Sequence, residues 1–546
     1  MKSMIVAGIL VALLLIAPAR GQLSLPNSGV DSLRVVVGVR PGYNFVQAIE
    51  KLGAYGKVIN TIPEINAVTI EIPAQLINAV YKLSFIKYLE EDVLVQIYDV
   101  YTMGRSTPLE KVFFSSYTAN LSVNEGENTA VNYTIKNNAK SSVNVAVELF
   151  DHNNNIIASK THSIPARGSA SGSLPFTAPT SAGNYTYKLA LKNVSTGTTY
   201  DLEYIAISVY TPSQPTPPPS PPPPTPPPEV PEPTPLPPYT DGVGWNIRYV
   251  KAPDVWHTYN STNGLGALGH GIQVAVLDTG IDYTHPELQG AVVWCAVYLN
   301  LSTIVYEGYD LSMCMDGHSH GTHVAGIIRA SMNNASIVGV SPLTQLYAVK
   351  VISDSGSGYA SDLAKGIIEA SKGPDDIAGT DDDADVISMS LGGGYSKLLE
   401  DAVKFAYNNG AVLVAAAGNT GGSTPLYPAA YSEVIAVGAI DSSYQVPTWS
   451  NRNPDVVAPG VGIYSTVPGG TLGYKTGTSM ACPHVSGVVA LIQALRVSAE
   501  KLKLTPSQVF ELIKQTSTDL GKVDYDELYG YGLVNAYEAT RLALST

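Results

Sequence analysis

The sequence predicts an α/β protein whose carboxyl-terminal half forms a doubly wound, mostly parallel sheet, preceded by a small α/β unit and an all-β sandwich. Beyond Trp245, short apolar runs alternate with helical stretches such as 362–371, 396–409 and 505–516. This alternation is typical of a parallel sheet with helices on both faces. Earlier in the chain, one segment mixes strand and helix patterns and the next has period-two alternation throughout.

The chain begins with the pattern of a secretory signal peptide over residues 1–19. Lys2 precedes an apolar run over 4–16, which ends at the small-residue site Ala17-Pro18-Ala19. The run is short for a transmembrane helix, although retention of the segment as a membrane anchor stays open. We therefore expect a secreted, extracellular protein that is associated with a membrane only if this segment is retained.

Composition and charge exclude some classes of partner. The 546 residues are enough for several domains, and the net charge of −14 argues against binding to nucleic acid or to anionic lipid. Charged residues make up only 14% of the chain, so the heavily charged composition of hyperthermophilic proteins is absent. Heat stability is therefore not inferred.

Residues 32–98 predict a two-layer α/β domain. Strands are expected at 34–39, near 58–62, at 67–72 and at 86–97, with helices at 44–52 and 73–83. The order is strand, helix, strand, strand, helix, strand. An unrelated module of ferredoxin-like type has the same order, so the pattern alone leaves the role of this unit open.

The next segment, 106–210, predicts a sandwich of immunoglobulin-like or fibronectin-like shape. Period-two runs occupy 130–135, 143–150 and 185–191. Domains of this kind bind partners or act as spacers, and the fold does not say which. The tract 211–238 is dominated by proline and predicts an extended, semi-rigid spacer that could span about 80 Å, rather than a ligand for a proline-binding domain.

The segment 241–546 carries three groups for nucleophilic catalysis. Asp278 ends an apolar strand, where parallel sheets place their chemistry. His320 is one of three histidines that open a small-residue helix, and Ser479 lies at the start of another helix. A serine hydroxyl is a weak nucleophile until a base takes its proton, and the base needs a carboxylate to orient it. The order Asp, His, Ser is one of the few in which such triads occur.

These motifs resemble the signatures of the subtilisin-like serine proteases. Ala-Val-Leu-Asp-Thr-Gly, His-Gly-Thr-His-Val-Ala-Gly and Gly-Thr-Ser-Met-Ala are all present, and the likeness covers roughly 245–544. Within that family the chain looks closest to the calcium-dependent subtilisins of hyperthermophilic archaea. The resemblance makes Asp278 the orienting acid, His320 the base and Ser479 the nucleophile, with His323 a structural neighbour. Ser319 stands where the family usually has glycine, and we expect a small residue to be tolerated there.

The resemblance also implies the rest of the active site. Asn419 is expected to donate to the oxyanion together with the Ser479 backbone N–H. Substrate is expected to pair with an edge segment by strand addition and to enter a primary specificity pocket. The residues assigned to these roles are Ser357, Gly358, Ser390, Leu391, Gly392, Ala416 and Gly418. Because no acidic residue lies at 420–422, we expect broad cleavage with a preference for apolar or aromatic residues.

The amino-terminal unit 32–98 is similar to the inhibitory propeptide of this family. That likeness implies that the unit assists folding and plugs the active site with its carboxyl-terminal tail. Family members join the propeptide almost directly to the protease, whereas here a sandwich and a spacer intervene. Cleavage near Ile97–Tyr98 would leave the sandwich on the mature enzyme and is favoured, while cleavage just before Trp245 would discard it.

Calcium is the expected cofactor, at two sites suggested by the family. The first would use Asp241, Glu287 and Asn333 with the backbone carbonyls of Ala335 and Ile337. The second is an acidic loop, for which a solvated loop without a cation is the alternative. Its expected ligands are Asp375, Asp376, Asp381, Asp382 and Asp383.

Three cysteines are too few for a disulfide framework. Cys295 and Cys314 are expected to pair, because similar family members carry a pair in this loop and secretion favours a disulfide. Cys482, beside the expected nucleophile, is predicted to be a buried thiol rather than a redox switch.

The sequence therefore predicts a secreted, calcium-dependent serine endopeptidase that is made as a self-processing precursor inhibited by its own propeptide. Its partners would be protein or peptide substrates and not nucleic acid. One alternative is a non-catalytic surface or adhesion protein, against which the intact triad argues. Another is a narrow processing protease or ligase, which substrate profiling would distinguish.

Overall fold

The computed structural model describes residues 32–97, 112–117, 120–124, 128–137, 142–151, 155–165, 168–180, 183–194, 199–210, 242–299, 304–333 and 337–545. Several predicted features lie outside these residues, namely the signal segment 1–19, the proline-rich tract 211–238, Tyr98, Asp241 and Ala335.

The amino-terminal unit contains an antiparallel sheet with the strand order β2-β3-β1-β4. Asn44 caps the first helix, which turns Ala48 and Leu52 into the core of the unit. The predicted helix 73–83 is shorter than expected, since a 3-10 turn occupies its start. The elements are β1 (Ser32–Val39), α1 (Phe45–Gly53), β2 (Lys57–Ile62), β3 (Ala67–Pro73), α2 (Ile77–Tyr81) and β4 (Ile86–Glu91).

The predicted single strand 86–97 is wrong, because the chain leaves the sheet after Glu91 and a separate strand, β5 (Leu94–Gln96), follows. Between the two strands, Asp92 Oδ1 accepts a hydrogen bond of 3.0 Å from Ser361 N in the carboxyl-terminal half of the chain. This bond draws the tail of the unit toward the large sheet described below.

The middle segment consists of two sheets that share one buried core. A five-stranded sheet has the order β10-β9-β12-β13-β7, in which only the β13–β7 pair is parallel, and a three-stranded antiparallel sheet has the order β11-β8-β6. Val131 and Ile135 from one sheet meet Val147 and Leu149 from the other. An immunoglobulin-like topology stays a prediction. The strands are β6 (Val112–Tyr117), β7 (Asn120–Asn124), β8 (Asn128–Asn137), β9 (Val143–Phe150), β10 (Ile156–Ile164), β11 (Ser169–Thr177), β12 (Gly183–Asn193) and β13 (Thr199–Tyr210).

The carboxyl-terminal half contains an eight-stranded sheet with the order β16-β15-β17-β14-β19-β21-β22-β23. Every neighbouring pair is parallel except β15–β16. Its elements are α3 (Trp245–Tyr249), α4 (Ala252–Asn263), β14 (Gln273–Asp278), β15 (Val292–Leu299), β16 (Ile304–Gly308), α5 (His320–Arg329), β17 (Gln345–Lys350), β18 (Ser357–Tyr359), α6 (Ala360–Ala370), β19 (Val386–Met389), β20 (Gly392–Gly393), α7 (Lys397–Asn408), β21 (Val412–Ala416), β22 (Val434–Ile440), β23 (Val456–Pro459), β24 (Ile463–Val467), β25 (Thr471–Lys475), α8 (Thr478–Ser498), α9 (Pro506–Thr516) and α10 (Ala536–Ser545).

The sheet is buried on both faces. Val274 and Val276 of β14 belong to one hydrophobic cluster, whereas Ala275 and Leu277 belong to the other, as alternation along a strand requires. After β14, the chain adds β15 and β17 on one side of that strand. It then crosses to the other side of β14, where it adds β19 and the later strands, so the strand order reverses around β14. Ligands in such sheets bind at the carboxyl ends of the strands on either side of this reversal.

Helix α8 is the central helix of this half. Its small side chains allow close packing, and a Cβ atom at Gly487 would lie only 2.6 Å from Val340 Cβ. Among the described residues it is the one helix long and apolar enough to cross a membrane, but 94% of its apolar window is buried inside the protein. The helix therefore belongs to the core.

Candidate active site

Asp278 and His320 meet at the carboxyl edge of the sheet. Asp278 is the last residue of β14 and His320 is the first residue of α5, and both side chains are fully buried. His320 Nδ1 lies 2.8 Å from Asp278 Oδ1 and 2.9 Å from Oδ2. Because Nδ1 faces a carboxylate, it carries the proton and leaves a lone pair on Nε2. This Nε2 is buried and has no hydrogen-bond partner within the described parts of the chain.

The loop before His320 is held by Asp316, which was not recognised in the sequence. Its buried carboxylate accepts hydrogen bonds from His318 N at 2.8 Å, Ser319 N at 2.9 Å and Thr322 N at 2.9 Å. The sequence offered only a weak signal, since Asp is common in turns, where its side chain bonds backbone N–H groups two or three residues on. Ser319 itself lies in the left-handed region, with φ of +83°, which gives a physical reason for glycine at this position.

Ser479 lies in the first turn of α8 and is 4% exposed. Its hydroxyl donates to Ser390 O at 3.2 Å, and the Ser390 hydroxyl donates to Ser479 O at 2.7 Å. The two serines are therefore bonded reciprocally, and the hydroxyl of Ser479 points to Ser390 rather than to His320. Helix α8 begins at this point, so the positive end of its dipole favours negative charge beside Ser479.

Asn419 lies next to the same turn. Its Oδ1 accepts hydrogen bonds from Thr478 N and Thr478 Oγ1, both at 2.8 Å. These two bonds fix the amide plane, so that Nδ2 faces the turn that contains Gly477 and Ser479. A Cβ atom at Gly477 would lie 2.9 Å from Nδ2, which explains the need for glycine. The amide is therefore oriented toward the region where Ser479 would act.

Asn451 is a second residue that sequence reasoning missed. It is 1% exposed, and its Oδ1 accepts from Thr420 N at 2.9 Å and from Gly422 N at 3.1 Å. Its backbone N donates to Gly418 O at 3.0 Å. Asn451 thus holds the loop on both sides of Asn419, with its side chain after Asn419 and its backbone N–H before it. No motif marked it, because it lies in an irregular segment far along the chain.

The tail of the amino-terminal unit occupies the cleft beside Ser479. Strand β5 is the central strand of a three-stranded antiparallel sheet, between β18 and β20. Gln96 lies opposite both Ser357 and Gly392, and Ile97 N donates to Gly356 O at 3.1 Å. Val95 is fully buried. The two segments assigned to substrate binding therefore hold an extended piece of this chain.

Two carboxylates of the same unit cap helices of the large domain. Glu90 accepts hydrogen bonds from Lys397 N and Leu398 N, each at 2.9 Å, at the start of α7. Asp92 accepts from Ser361 N in the first turn of α6 and from Arg34 Nε at 2.6 Å. Burial raises the pKa of both carboxyls, against the opposing effect of these hydrogen bonds. The unit thus binds the helices as well as the cleft.

Two other histidines of the motifs, His323 and His484, have structural partners. His323 Nε2 donates to Ile463 O and Gly473 O, each at 3.0 Å, and burial lowers its pKa well below the usual value. His484 Nδ1 lies 2.8 Å from Met480 O, and burial lowers its pKa to about 4. Both are neutral at pH 7, and the histidine in contact with Asp278 is His320.

The expected calcium ligands are brought together in part. Asn333 Nδ2 lies 3.1 Å from Glu287 Oε2, and Glu287 and Ile337 are buried. An amide can present either its nitrogen or its oxygen at one position, so the pair suits a cation that prefers oxygen ligands. Asp241 and Ala335 lie outside the described residues.

In the acidic loop, ligand atoms of Asp375, Asp382 and Asp383 lie within 4.8 Å of one another. Asp376 is paired instead with Lys372, and Asp381 is not part of the group. Three carboxylates at this spacing can supply oxygen ligands to one cation. The donor set is thus smaller than the sequence suggested.

The cysteines behave as expected. Cys295 and Cys314 form a disulfide, as the sequence predicted, and the bond links β15 to the turn before α5. Cys482 is fully buried, and burial raises the pKa of its thiol to about 11. A thiol with such a pKa is unreactive at neutral pH, so Cys482 acts as a small apolar residue.

The carboxyl-terminal half of the chain is similar to known proteins. The model of the subtilase family matches residues 269–532. The chain is 38% identical over 314 residues to the thermophilic serine proteinase of Bacillus sp. strain AK1, covering 56% of this chain and 69% of the relative. It is 41% identical over 310 residues to subtilisin E of Bacillus subtilis, covering 56% and 72%. It is 40% identical over 302 residues to subtilisin Savinase of Lederbergia lenta, covering 55% and 99%.

Proposed function

This chain belongs to the subtilase family and is a serine endopeptidase, and from that premise we propose that Asp278, His320 and Ser479 are its catalytic triad, with Asn419 in the oxyanion hole. We further propose that the enzyme is secreted, depends on calcium and is made as a precursor inhibited by residues 32–97. The observation that carries the catalytic assignment is the buried Asp278–His320 contact, which leaves Nε2 open as a proton acceptor.

The reaction begins with a rotation of the Ser479 hydroxyl. The hydroxyl leaves Ser390 O, turns toward His320 Nε2 and gives up its proton as Oγ attacks the peptide carbonyl. Asp278 holds the imidazole and stabilises the imidazolium that forms. His320 then protonates the leaving amine, and a water molecule hydrolyses the acyl-enzyme by the same route. This hydrolysis releases the carboxylic acid product and restores the free serine.

Fixed hydrogen-bond donors stabilise the negative charge that develops on the carbonyl oxygen. Asn419 Nδ2 and the Ser479 backbone N–H are oriented beforehand, since Thr478 holds the Asn419 amide through two hydrogen bonds. Donors that need no reorganisation stabilise the tetrahedral intermediate more than water does. Loss of one such donor lowers kcat by roughly 100- to 1000-fold in subtilisin, which is the standard example of this effect.

The pairing of β5 supports a self-inhibited precursor. The strand occupies the position of an extended substrate and reaches Ile97 beside Gly356. We place cleavage near Ile97–Tyr98, because the strand that pairs with the two edge segments extends to Gln96 and Ile97 N bonds Gly356 O. In this case the sandwich stays on the mature enzyme. Cleavage before Trp245 would require a second event.

Calcium is proposed at the Glu287–Asn333 pair and at the Asp375–Asp382–Asp383 group. At the first position a bound cation would join the segment after β14 to the loop after α5, and both of these segments lead from catalytic residues. At the second it would relieve the repulsion among three carboxylates. The cation would thus stabilise the fold without taking part in the reaction.

A comparison of three precursors tests the catalytic proposal. Wild type, Ser479→Ala and the control Ser486→Ala, which alters a buried serine on the same helix, are incubated with calcium or with chelator. Intact mass and amino-terminal sequencing then report cleavage. We expect new termini near residue 98 in wild type and Ser486→Ala only, formed faster with calcium. Cleavage of Ser479→Ala at the same position in pure protein would refute the triad assignment.

A further inference from the structure

The space between Gly392 and Gly418, called the recess here, is closed on one side by Leu426. The two glycines are called its walls and the leucine its floor. A Cβ atom at Gly392 would lie 3.1 Å from Leu426 Cβ and 3.2 Å from Leu426 Cδ1. A Cβ atom at Gly418 would lie 2.9 Å from both Cγ and Cδ1 of the same leucine. The Leu426 side chain therefore fills the space that the two glycines leave open between them.

Both walls lead directly to the reacting groups. Gly392 follows Ser390, which bonds Ser479, by two residues. Gly418 precedes Asn419, which bonds the neighbour of Ser479, by one residue. Strand β5 shows how an extended chain reaches this point, since Gln96 lies opposite Gly392. If a substrate continues this antiparallel register, the residue two positions beyond the one opposite Gly392 lies opposite Ser390, which bonds Ser479. We take that residue to be the one on the acyl side of the scissile bond, called the acyl-side residue here, and infer that its side chain enters the recess.

The floor is fixed to both walls. Leu426 N donates to Ala417 O at 2.9 Å, next to Gly418. Gly393 and Tyr427 exchange two backbone hydrogen bonds, of 2.8 and 3.2 Å, next to Gly392. A larger substrate side chain cannot displace the backbone at Leu426 without breaking its hydrogen bond to Ala417 or the pair of bonds between Gly393 and Tyr427. It can only compress Leu426, and overpacking of this kind is costly.

We propose that Leu426 makes the recess shallow, so that the enzyme cleaves after small residues such as alanine in preference to tyrosine or phenylalanine. The inference rests on the proposed function and replaces the expected preference for apolar or aromatic residues. The apolar floor also disfavours a charged acyl-side residue, whose charge it cannot pair. Tyr98 follows Ile97 in the sequence, but an intramolecular cut tolerates a poor fit because the attached strand keeps the peptide at high effective concentration.

The test compares two peptides that differ only in the acyl-side residue. Both carry the tail sequence Leu-Val-Gln-Ile, followed by alanine or by tyrosine before the cleaved bond. Enzyme matured from the full chain is used as wild type, Leu426→Ala, Leu426→Met and the surface control Leu502→Ala. The ratio of kcat/KM for the two peptides is measured, because it does not depend on the fraction of active enzyme. Labelling with a fluorophosphonate reports a competent serine independently.

We expect the wild type to favour alanine by about tenfold or more, since each excess methylene in a closed pocket costs about that factor. Leu426→Ala should lower this ratio at least tenfold, while Leu426→Met and Leu502→Ala should leave it nearly unchanged. A wild type that favours tyrosine, or a ratio that Leu426→Ala does not change, overturns the inference while the triad stands. A wild type that neither cleaves nor takes the label overturns the proposed function and this inference with it.

Discussion

Removal of two charges from the amino-terminal unit should separate inhibition from catalysis. Glu90 and Asp92 each cap a helix of the large domain, and neither lies among the catalytic or substrate-binding residues. Glu90→Gln and Asp92→Asn keep the size of each side chain but remove its charge. After cleavage near residue 98, the double variant should release the unit more readily and show activity at higher protein concentration than wild type.

The magnitude follows from the contacts. Glu90 satisfies the first two N–H groups of α7, and Asp92 satisfies Ser361 N while it accepts from Arg34. Each carboxylate accepts hydrogen bonds through both of its oxygens, so an amide puts an NH2 group in place of one acceptor and leaves a buried N–H unpaired, which costs roughly 1 to 3 kcal/mol. Burial disfavours the charge of both carboxyls and offsets part of this loss. We therefore assign about 1 to 2 kcal/mol to each site, with additive effects because the two sites are on different helices. The double variant should bind the unit about 30- to 1000-fold more weakly.

The assay is recovery of activity on dilution of the self-cleaved complex, which gives an apparent Kd for the unit. Glu91→Gln is the matched control, since Glu91 lies between the two carboxylates in sequence but is exposed. Its Kd should equal that of wild type, and kcat should be the same in all variants. An unchanged Kd in the double variant, or an equal loss in Glu91→Gln, would refute the capping argument.

Three further outcomes are expected. Ser319→Gly should raise stability by about 0.5 to 1 kcal/mol, measured as the urea midpoint, because it removes a Cβ atom from the left-handed region; a lower midpoint would contradict the strain. Asn451→Ala should lower kcat by about tenfold with little change in KM, since the loop around Asn419 loses its clamp, whereas Asn453→Gly, which removes a bond to Ser423 O from the exposed side of the loop, should not. Burial lowers the pKa of His484 to about 4 in the folded state, so stability should fall by up to roughly 3 kcal/mol as pH drops from about 6.5 toward 4; His484→Asn should flatten that profile.

Much of the large domain could be predicted because its signals are local. The helices predicted at 362–371, 396–409 and 505–516 correspond to α6, α7 and α9 within two residues at either end. Asp278 is the last residue of a strand and His320 is the first residue of a helix. Both positions lie at the carboxyl edge of the parallel sheet, and the two side chains therefore meet there. Motif residues of this kind can be placed without knowledge of distant packing.

The remaining features depend on long-range partners. The break between β4 and β5 is set by Ser361 and by strands far along the chain, so no local pattern marks it. The hydroxyl of Ser479 bonds Ser390, a choice of rotamer that sequence cannot give. In the sequence, Leu426 has the pattern of an ordinary loop residue. Only the structure shows that its side chain lies between Gly392 and Gly418.

The same two edge segments bind the tail of this chain and, by our proposal, its substrates. A change in β18 or β20 should therefore weaken inhibition and catalysis together. The capping carboxylates lie outside the cleft, and a peptide substrate has no counterpart for them. The amino-terminal unit consequently gains binding energy that no short peptide can match, which explains how a strand in the position of a substrate can act as an inhibitor. Its affinity can thus change through Glu90 and Asp92 while substrate selection by Leu426 stays constant.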